Sequence, residues 1–389
     1  MHGNTIEVRV EPSVLQWLRE SAGLRVADVA RRLGTSEAAV QAWESGDRRP
    51  TLRTLEELSV FLKRPLAAFL LPQRPSEPPL PTDFRSLPGK EKLPMGRKTL
   101  LAIREARRMQ TVARDLSAQM DSPLRARIRK ITLSTNPEAV AETERKRLGI
   151  DVGEQIDWAN AYDAFSQWRR GVEQFGVLVF QLPMPVEEAR GFSLTDSGLP
   201  AIVVNSSDAI TARIFTLFHE YSHLLLGAAG VCLPHEGGED DGRIEKFCNH
   251  FAGALLVPKA ALLADKRTQQ VVHATSAADA GLEELAAWFK VSKQVVWRRL
   301  QVCGLISTAR YQAKLHSWEH QVRVSRKKPS FGVSPARRCV GQKGRPFASM
   351  VLEAKERDLI TYSDVADYLS VRVKHLDSVQ GLLREQQNG

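Results

Sequence analysis

The chain has 389 residues, 43% of them hydrophobic and 26% charged, proportions of ordinary folded proteins that exclude wholesale disorder. Fifty-five Lys and Arg against 45 Asp and Glu leave a formal charge of +10, which suits a polyanionic partner and plain solubility alike. The longest apolar run, Ile214 to Gly230, is broken by His219, Glu220 and His223, and the first residues lack a signal-peptide core, so a cytoplasmic protein without a membrane partner is expected.

This length calls for two or three domains. Residues 1–72 read as a set of short helices, with Val14, Leu15, Leu18 and then Val26, Val29, Ala30, Leu33 at helical spacing. Gly34 stops the second helix, Ser36 is a fitting N-cap for a third that ends at Gly46, and Thr51 opens a fourth. Residues 73–97 are a Pro-rich linker. An Arg-rich helical stretch is expected from about Lys98 to Leu148, within a helical region 98–165.

Residues 166–265 carry the sheet signal: Gly176–Phe180, Gly191–Leu194 and Ala201–Val204 read as short strands. A helix from about Ala209 to Leu226, a polar loop over His235 to Gly242 and a helix from Ile244 to about Leu256 follow. No internal repeat is evident, only two segments of helix-turn-helix character, the second at 275–310. Residues 311–389 read as a basic linker and a last helical unit, in which Ile360–Leu369 has the cadence of a short helix pair. The four cysteines, Cys232, Cys248, Cys303 and Cys339, form no CxxC pair and fit a reducing compartment.

The run His219-Glu220-Tyr221-Ser222-His223 carries the chemistry. Residues four apart share a helix face, so both imidazoles can reach one metal. Glu220 stands about 100° round the axis, near enough to touch a water at the metal without occupying a coordination position. Zinc suits this set, because it binds imidazole well and acidifies water beside a carboxylate that can take the proton.

Two histidines need a third ligand. His235, Glu236, Glu239, Asp240, Asp241, Glu245 and His250 are the downstream candidates. Glu245 is preferred because it stands near the start of an amphipathic helix, and a rigid helix places a ligand better than a loop; the other acids stay open. Tyr221, Asn249 and His250 are candidates for second-layer or oxyanion-stabilising positions.

Phe218 to Leu226, followed by Glu245-Lys-Phe-Cys-Asn249 and the run to Pro258, resembles the ImmA/IrrE-type metallopeptidases. That resemblance implies a gluzincin-like site, with His219, His223 and Glu245 on one zinc ion and Glu220 as general base. Ala254 stands where many members carry a glutamate.

Leu24 to Gly46 resembles the XRE-type helix-turn-helix. Such a domain lays the helix from Ser36 to Trp43 in the major groove. Ser36, Glu37 and Gln41 are its candidate DNA contacts, although Arg, Asn and Gln are the usual base readers. A protein-binding or homodimer-forming role for the domain is the other expectation. The second segment, Leu282 to Leu300, offers Lys293, Gln294, Arg298 and Arg299 to DNA, or else is a packing appendage.

The fold expected from these features is α+β and mostly helical. It comprises an XRE-type domain, a minimal gluzincin-like core with a small antiparallel-type sheet, and helical C-terminal units. The expected function is a zinc-dependent, site-specific endopeptidase fused to a helix-turn-helix regulator. Its protein substrate would be a transcription factor or a toxin–antitoxin partner, in stress response or mobile-element control, with an extended segment pairing near Ala201–Val204. The alternative is a DNA-binding repressor or antitoxin that uses the peptidase fold as a scaffold.

Overall fold

The computed structural model describes residues 6–76, 95–121, 124–195, 198–227, 239–273, 278–321 and 332–384. Most of the expected linker, the loop residues His235 and Glu236, and the basic stretch 322–331 lie outside the described residues. The chain divides into two compact units, one holding the described residues up to 76 with 95–105, the other those from 106 onward.

The first unit starts with α1 (Pro12–Glu20), α2 (Val26–Leu33), α3 (Glu37–Ser45), α4 (Leu52–Leu62) and a 3-10 turn over Leu66–Leu70. Its core takes Val14, Leu18, Val29, Val40, Trp43, Leu55 and Leu58 from positions at helical spacing and adds Phe69 of the 3-10 turn, while Val26 and Leu33 are only partly buried. Ser36 and Thr51 cap α3 and α4 by accepting from the Ala39 and Thr54 amides. Gly34 and Gly46 take left-handed backbone (φ +64° and +86°) where α2 and α3 end. Arg19 donates twice to Glu44, at 2.7 and 2.8 Å, and so ties α1 to α3.

A long helix, α5 (Arg97–Gln119), follows, and its first residues belong to the first unit. It does not continue to Leu148 as expected: Asp121 turns the backbone left-handed (φ +52°). Residues 124–134 then run without helix, held by Arg127 N to Phe175 O and Ile131 N to Leu225 O. A new helix, α6 (Pro137–Leu148), starts on the Asn136 cap.

The second unit continues with α7 (Val152–Asp157), α8 (Ala161–Glu173), β1 (Leu178–Leu182), β2 (Gly191–Leu194), β3 (Ala201–Asn205), α9 (Ile210–Gly227) and α10 (Glu239–Leu256). After them come α11 (Lys259–Ala264), α12 (Lys266–His273), α13 (Ala278–Trp288), α14 (Lys293–Val302) and α15 (Thr308–Gln321). The C-terminal helices are α16 (Pro335–Lys343), α17 (Arg345–Glu356), α18 (Tyr362–Leu369) and α19 (Leu376–Arg384), with a 3-10 turn over Val373–His375.

The sheet corrects two expectations. Its order is β1-β3-β2, with β3 parallel to β1 and antiparallel to β2, so it is mixed rather than antiparallel. Ala201–Asn205 is also the central strand, hydrogen-bonded on both sides, and cannot accept a further strand. Five consecutive buried residues on β3 fit a strand covered on both faces. At the β1 side, Gln181 donates to Gly341 O in α16. The junction of α16 and α17 presses Gly344 (φ +82°) onto the buried Arg169–Glu173 pair of α8.

Every residue of α9 from Ile214 to Leu226 is buried. A helix wrapped on all sides is apolar all round, and here the polar exceptions are Thr216, His219, Glu220, Ser222 and His223. Trp168 of α8 meets Phe218 edge-on at 5.0 Å and Trp158 at 5.1 Å, which fixes the helix from behind.

Candidate metal centre

His219 and His223 lie one turn apart on α9, and Glu245 reaches them from α10, which starts at Glu239 and takes in what the sequence suggests is loop. The two Nε2 atoms are 3.1 Å apart. Glu245 Oε2 is 3.4 Å from His219 Nε2, and Oε1 is 3.3 Å from His223 Nε2. A tetrahedral ion with bonds of ~2.0–2.1 Å separates its ligands by about 3.3 Å. The triangle therefore has the size of one face of such an ion's coordination shell, and its nitrogen and oxygen donors are those zinc prefers. The two imidazoles are buried and the carboxylate is partly open to solvent, so the face is approached from one side.

The three side chains shift one another's protonation. Burial would raise the Glu245 carboxyl, but hydrogen bonding with His219 and His223 outweighs it and holds the group well below the usual carboxylate range. Burial would lower His223, but the acidic groups around it, Cys248, Glu245 and Glu220 among them, raise it well above an ordinary histidine. The two shifts are the two sides of one interaction between the histidines and the carboxylate.

Glu220 is fully buried on α9, beside His219 in sequence. Gly191 of β2 packs against the same stretch of helix: a Cβ on it would run into Thr216 Cγ2, lie 2.7 Å from Val203 O and 3.5 Å from Glu220 Cγ. Thr216 and Val203 O leave room only for glycine here, while Glu220 Cγ lies at ordinary contact distance. Sequence reasoning missed this residue, for which the signal was a glycine opening a strand.

The remaining candidates take other places. Tyr221 faces away from the triangle and donates to Glu144 Oε2 of α6 at 2.8 Å, so it is no oxyanion donor. His250 Nε2 is 2.6 Å from Glu138 Oε1, and Asn249 is exposed. Cys248, one turn after Glu245, is buried in hydrogen-bonding contact with His223 and Ser222, and burial raises its thiol. Glu239, Asp240 and Asp241 lie on the first turn of α10.

Among the DNA candidates, Ser36, Glu37 and Gln41 are exposed on or beside α3, as Gln294 and Arg298 are on α14. Lys293 pairs with Glu283 at 2.7 Å. Arg299 is 1% exposed and cannot touch DNA. Its guanidinium donates to both oxygens of Glu138, at 2.6 and 3.1 Å, and to Val257 O at 2.9 Å. Glu138 thus holds α10 through His250 and α14 through Arg299. Its own burial is outweighed by these two donors, which bring its pKa down to about 2.

Residues 172–301 match the family of peptidases described as the IrrE N-terminal-like domain. The chain carries an IrrE N-terminal-like domain. Residues 15–69 match a helix-turn-helix family, so a regulator-type module and this peptidase-type domain share one chain. The matched stretch takes in the sheet, α9 and α10 with the candidate ligands, and the second helix-turn-helix segment from Leu282 to Leu300, and ends before α15. No curated protein matches the chain. No helix among the described residues is long and apolar enough to cross a membrane.

Proposed function

We propose that the chain is a zinc-dependent, site-specific endopeptidase whose substrate is a regulatory protein, and that His219, His223 and Glu245 hold the metal. The observation that carries this reading is the triangle of donor atoms, 3.1 to 3.4 Å on a side, with the Glu220 carboxylate next to it on a buried helix. A zinc ion held there supplies Lewis acidity toward the scissile carbonyl and the attacking water.

The chain's own residues do the rest. Glu220 takes the water's proton on its carboxylate and returns it to the departing amine nitrogen. The donor edge for an extended substrate is β2. Asn205 N donates to Arg190 O and the pairing continues at Phe192–Val203, so the main-chain groups of Gly191 and Ser193, which alternate with these, point away from β3. A substrate segment pairing there lies beside Glu220.

Glu220→Gln tests the reading. The amide keeps the shape but cannot take a proton, so cleavage of a co-expressed partner should fall by about two to four orders of magnitude, with zinc content and thermal midpoint unchanged. If wild type and variant leave every candidate partner intact while both still repress transcription, the scaffold-type repressor is the correct reading.

A further inference from the structure

Three segments of the chain share one backbone device with an alanine in it; a fourth, at Lys63 (φ +56°, Arg64 N to Ser59 O at 3.1 Å, then the 3-10 turn Leu66–Leu70), has the backbone with Ser59 in the alanine's place. In each of the three, a helix ends at or just before a residue in left-handed backbone, and after two more residues the next helical element begins, which in the third copy is the 3-10 turn Val373–His375 that leads into α19. The left-handed residues are Gly34 (φ +64°), Lys290 (φ +57°) and Ser370 (φ +54°). The same hydrogen bond closes each turn: Thr35 N to Ala30 O at 3.0 Å, Val291 N to Ala286 O at 2.9 Å, and Val371 N to Ala366 O at 3.1 Å.

The side chains repeat as well. An alanine stands four residues before each left-handed position, preceded by buried Val29, Leu285 or Val365. Six residues after it stands buried Val40, Val296 or Leu376. A small residue on the first helix and an apolar one at this spacing after the turn is the pattern of a helix-turn-helix; in the third copy Ala366 is partly buried and α18 packs on the 3-10 turn. Glycine fills the left-handed position in the first copy alone; Lys290 and Ser370 fill it in the other two.

What covers the second helix differs. In the middle copy α15 lies over it: Trp297 is buried and donates to Tyr311 O, Arg298 stacks over the Tyr311 ring, and Arg299 is committed to Glu138. In the first copy Ser36, Glu37, Ala38 and Gln41 are exposed, with Ala42 partly so. In the same register the third copy presents Arg372, Val373, Lys374, Asp377 and Ser378, all exposed.

We propose that the C-terminal helix-turn-helix, Tyr362–Arg384, is a second head that binds duplex DNA, with the start of its second helix in the major groove. Charge complementarity selects this occupant. Arg372 to Ser378 carries Arg372, Lys374 and His375 against one acid, Asp377, whereas the matching run of the N-terminal copy, Ser36 to Ala42, carries Glu37 and no cation. Arg372 and Lys374 are suited to phosphates and guanine edges, and exposed Val373 to a thymine methyl. The head is independent of whether the metal centre cleaves peptides.

The test is fluorescence anisotropy of the full chain on a mixed-sequence duplex across a salt series. Arg372→Ala with Lys374→Ala should weaken binding roughly tenfold and reduce the log–log salt slope by about 1.8, the release of two phosphate counterions. The matched control, Arg337→Ala with Arg338→Ala, removes two exposed cations of α16 outside this face and should leave affinity within about twofold. Thermal midpoints confirm that both variants are folded, and in the wild type DNA should protect the amides of 370–384 from hydrogen exchange. Equal losses in the two variants, no loss in the first, or no protection of 370–384 overturns the proposal. So does altered self-association with unchanged DNA affinity, which marks the face as a protein contact.

Discussion

Gly191 and Glu220 meet where β2 crosses α9: a Cβ on the glycine would lie at an ordinary 3.5 Å from Glu220 Cγ but clash with Thr216 and Val203 O. The edge of the sheet and the carboxylate thereby share one site. Gly191→Ala must push the strand off the helix. Partner cleavage should fall at least tenfold, as displacements of about 1 Å do, while zinc content stays near that of wild type. Full activity in this variant would remove β2 from the substrate site.

If the triangle holds zinc, Glu245 should matter to its retention as much as the histidines do. Purified wild type should carry about one zinc per chain, and His223→Ala and Glu245→Ala should each lose most of it in elemental analysis. Full occupancy in Glu245→Ala would move the third ligand to the acids at the start of α10 or into the residues preceding them.

Cys248 contacts His223 from α10, where a metal-bound histidine commonly has its ring orientation set by a neighbour. Cys248→Ala should weaken zinc affinity by roughly tenfold or more in a chelator competition. Cys248→Ser should restore part of it, because the hydroxyl can replace the thiol's hydrogen bond.

Glu138, at about 2, lies below its ordinary value of 4.5 because His250 and Arg299 donate to it. A carboxylate depressed in the folded state adds stability above its unfolded pKa and loses it as pH falls through the folded one. Urea unfolding of chelated protein should therefore show wild type losing stability from about pH 4.5 down to pH 2. Glu138→Gln should be less stable at pH 7, with the difference shrinking across that window.

Gly344 sits in backbone open only to glycine, with a would-be Cβ 2.8 Å from Arg169 Nη2 and 2.9 Å from both Glu173 Oε1 and Val179 O. Gly344→Ala should cost about 1–3 kcal/mol in denaturant unfolding and leave the zinc triangle's occupancy intact. Unchanged stability would mean that α16 and α17 do not rest on the Arg169–Glu173 pair.

What the sequence makes legible here is local. The spacing His219–His223, the Ser36 and Thr51 caps, the glycine stops at Gly34 and Gly46, and the helix carrying Glu245 follow from periodicity and capping, which act over a few residues. Strand order does not: Ala201–Asn205 reads like any short apolar strand, and only the path of the chain makes it central. Arg299 illustrates the same limit, since an arginine on an amphipathic helix reads as exposed until a distant Glu138 supplies its partner. Tyr221 likewise turns to α6 because Glu144, buried and paired with Arg147, is there to receive its hydroxyl.

The Glu138 clamp joins three helices that are far apart in sequence, and one of them bears the third donor of the metal triangle. Melting of α6 or α14 therefore removes part of the support of α10, and an ion held at the triangle would be held less tightly. Heat should then release metal and unfold these helices in one cooperative step, so that calorimetry and a metal-sensitive dye report the same midpoint.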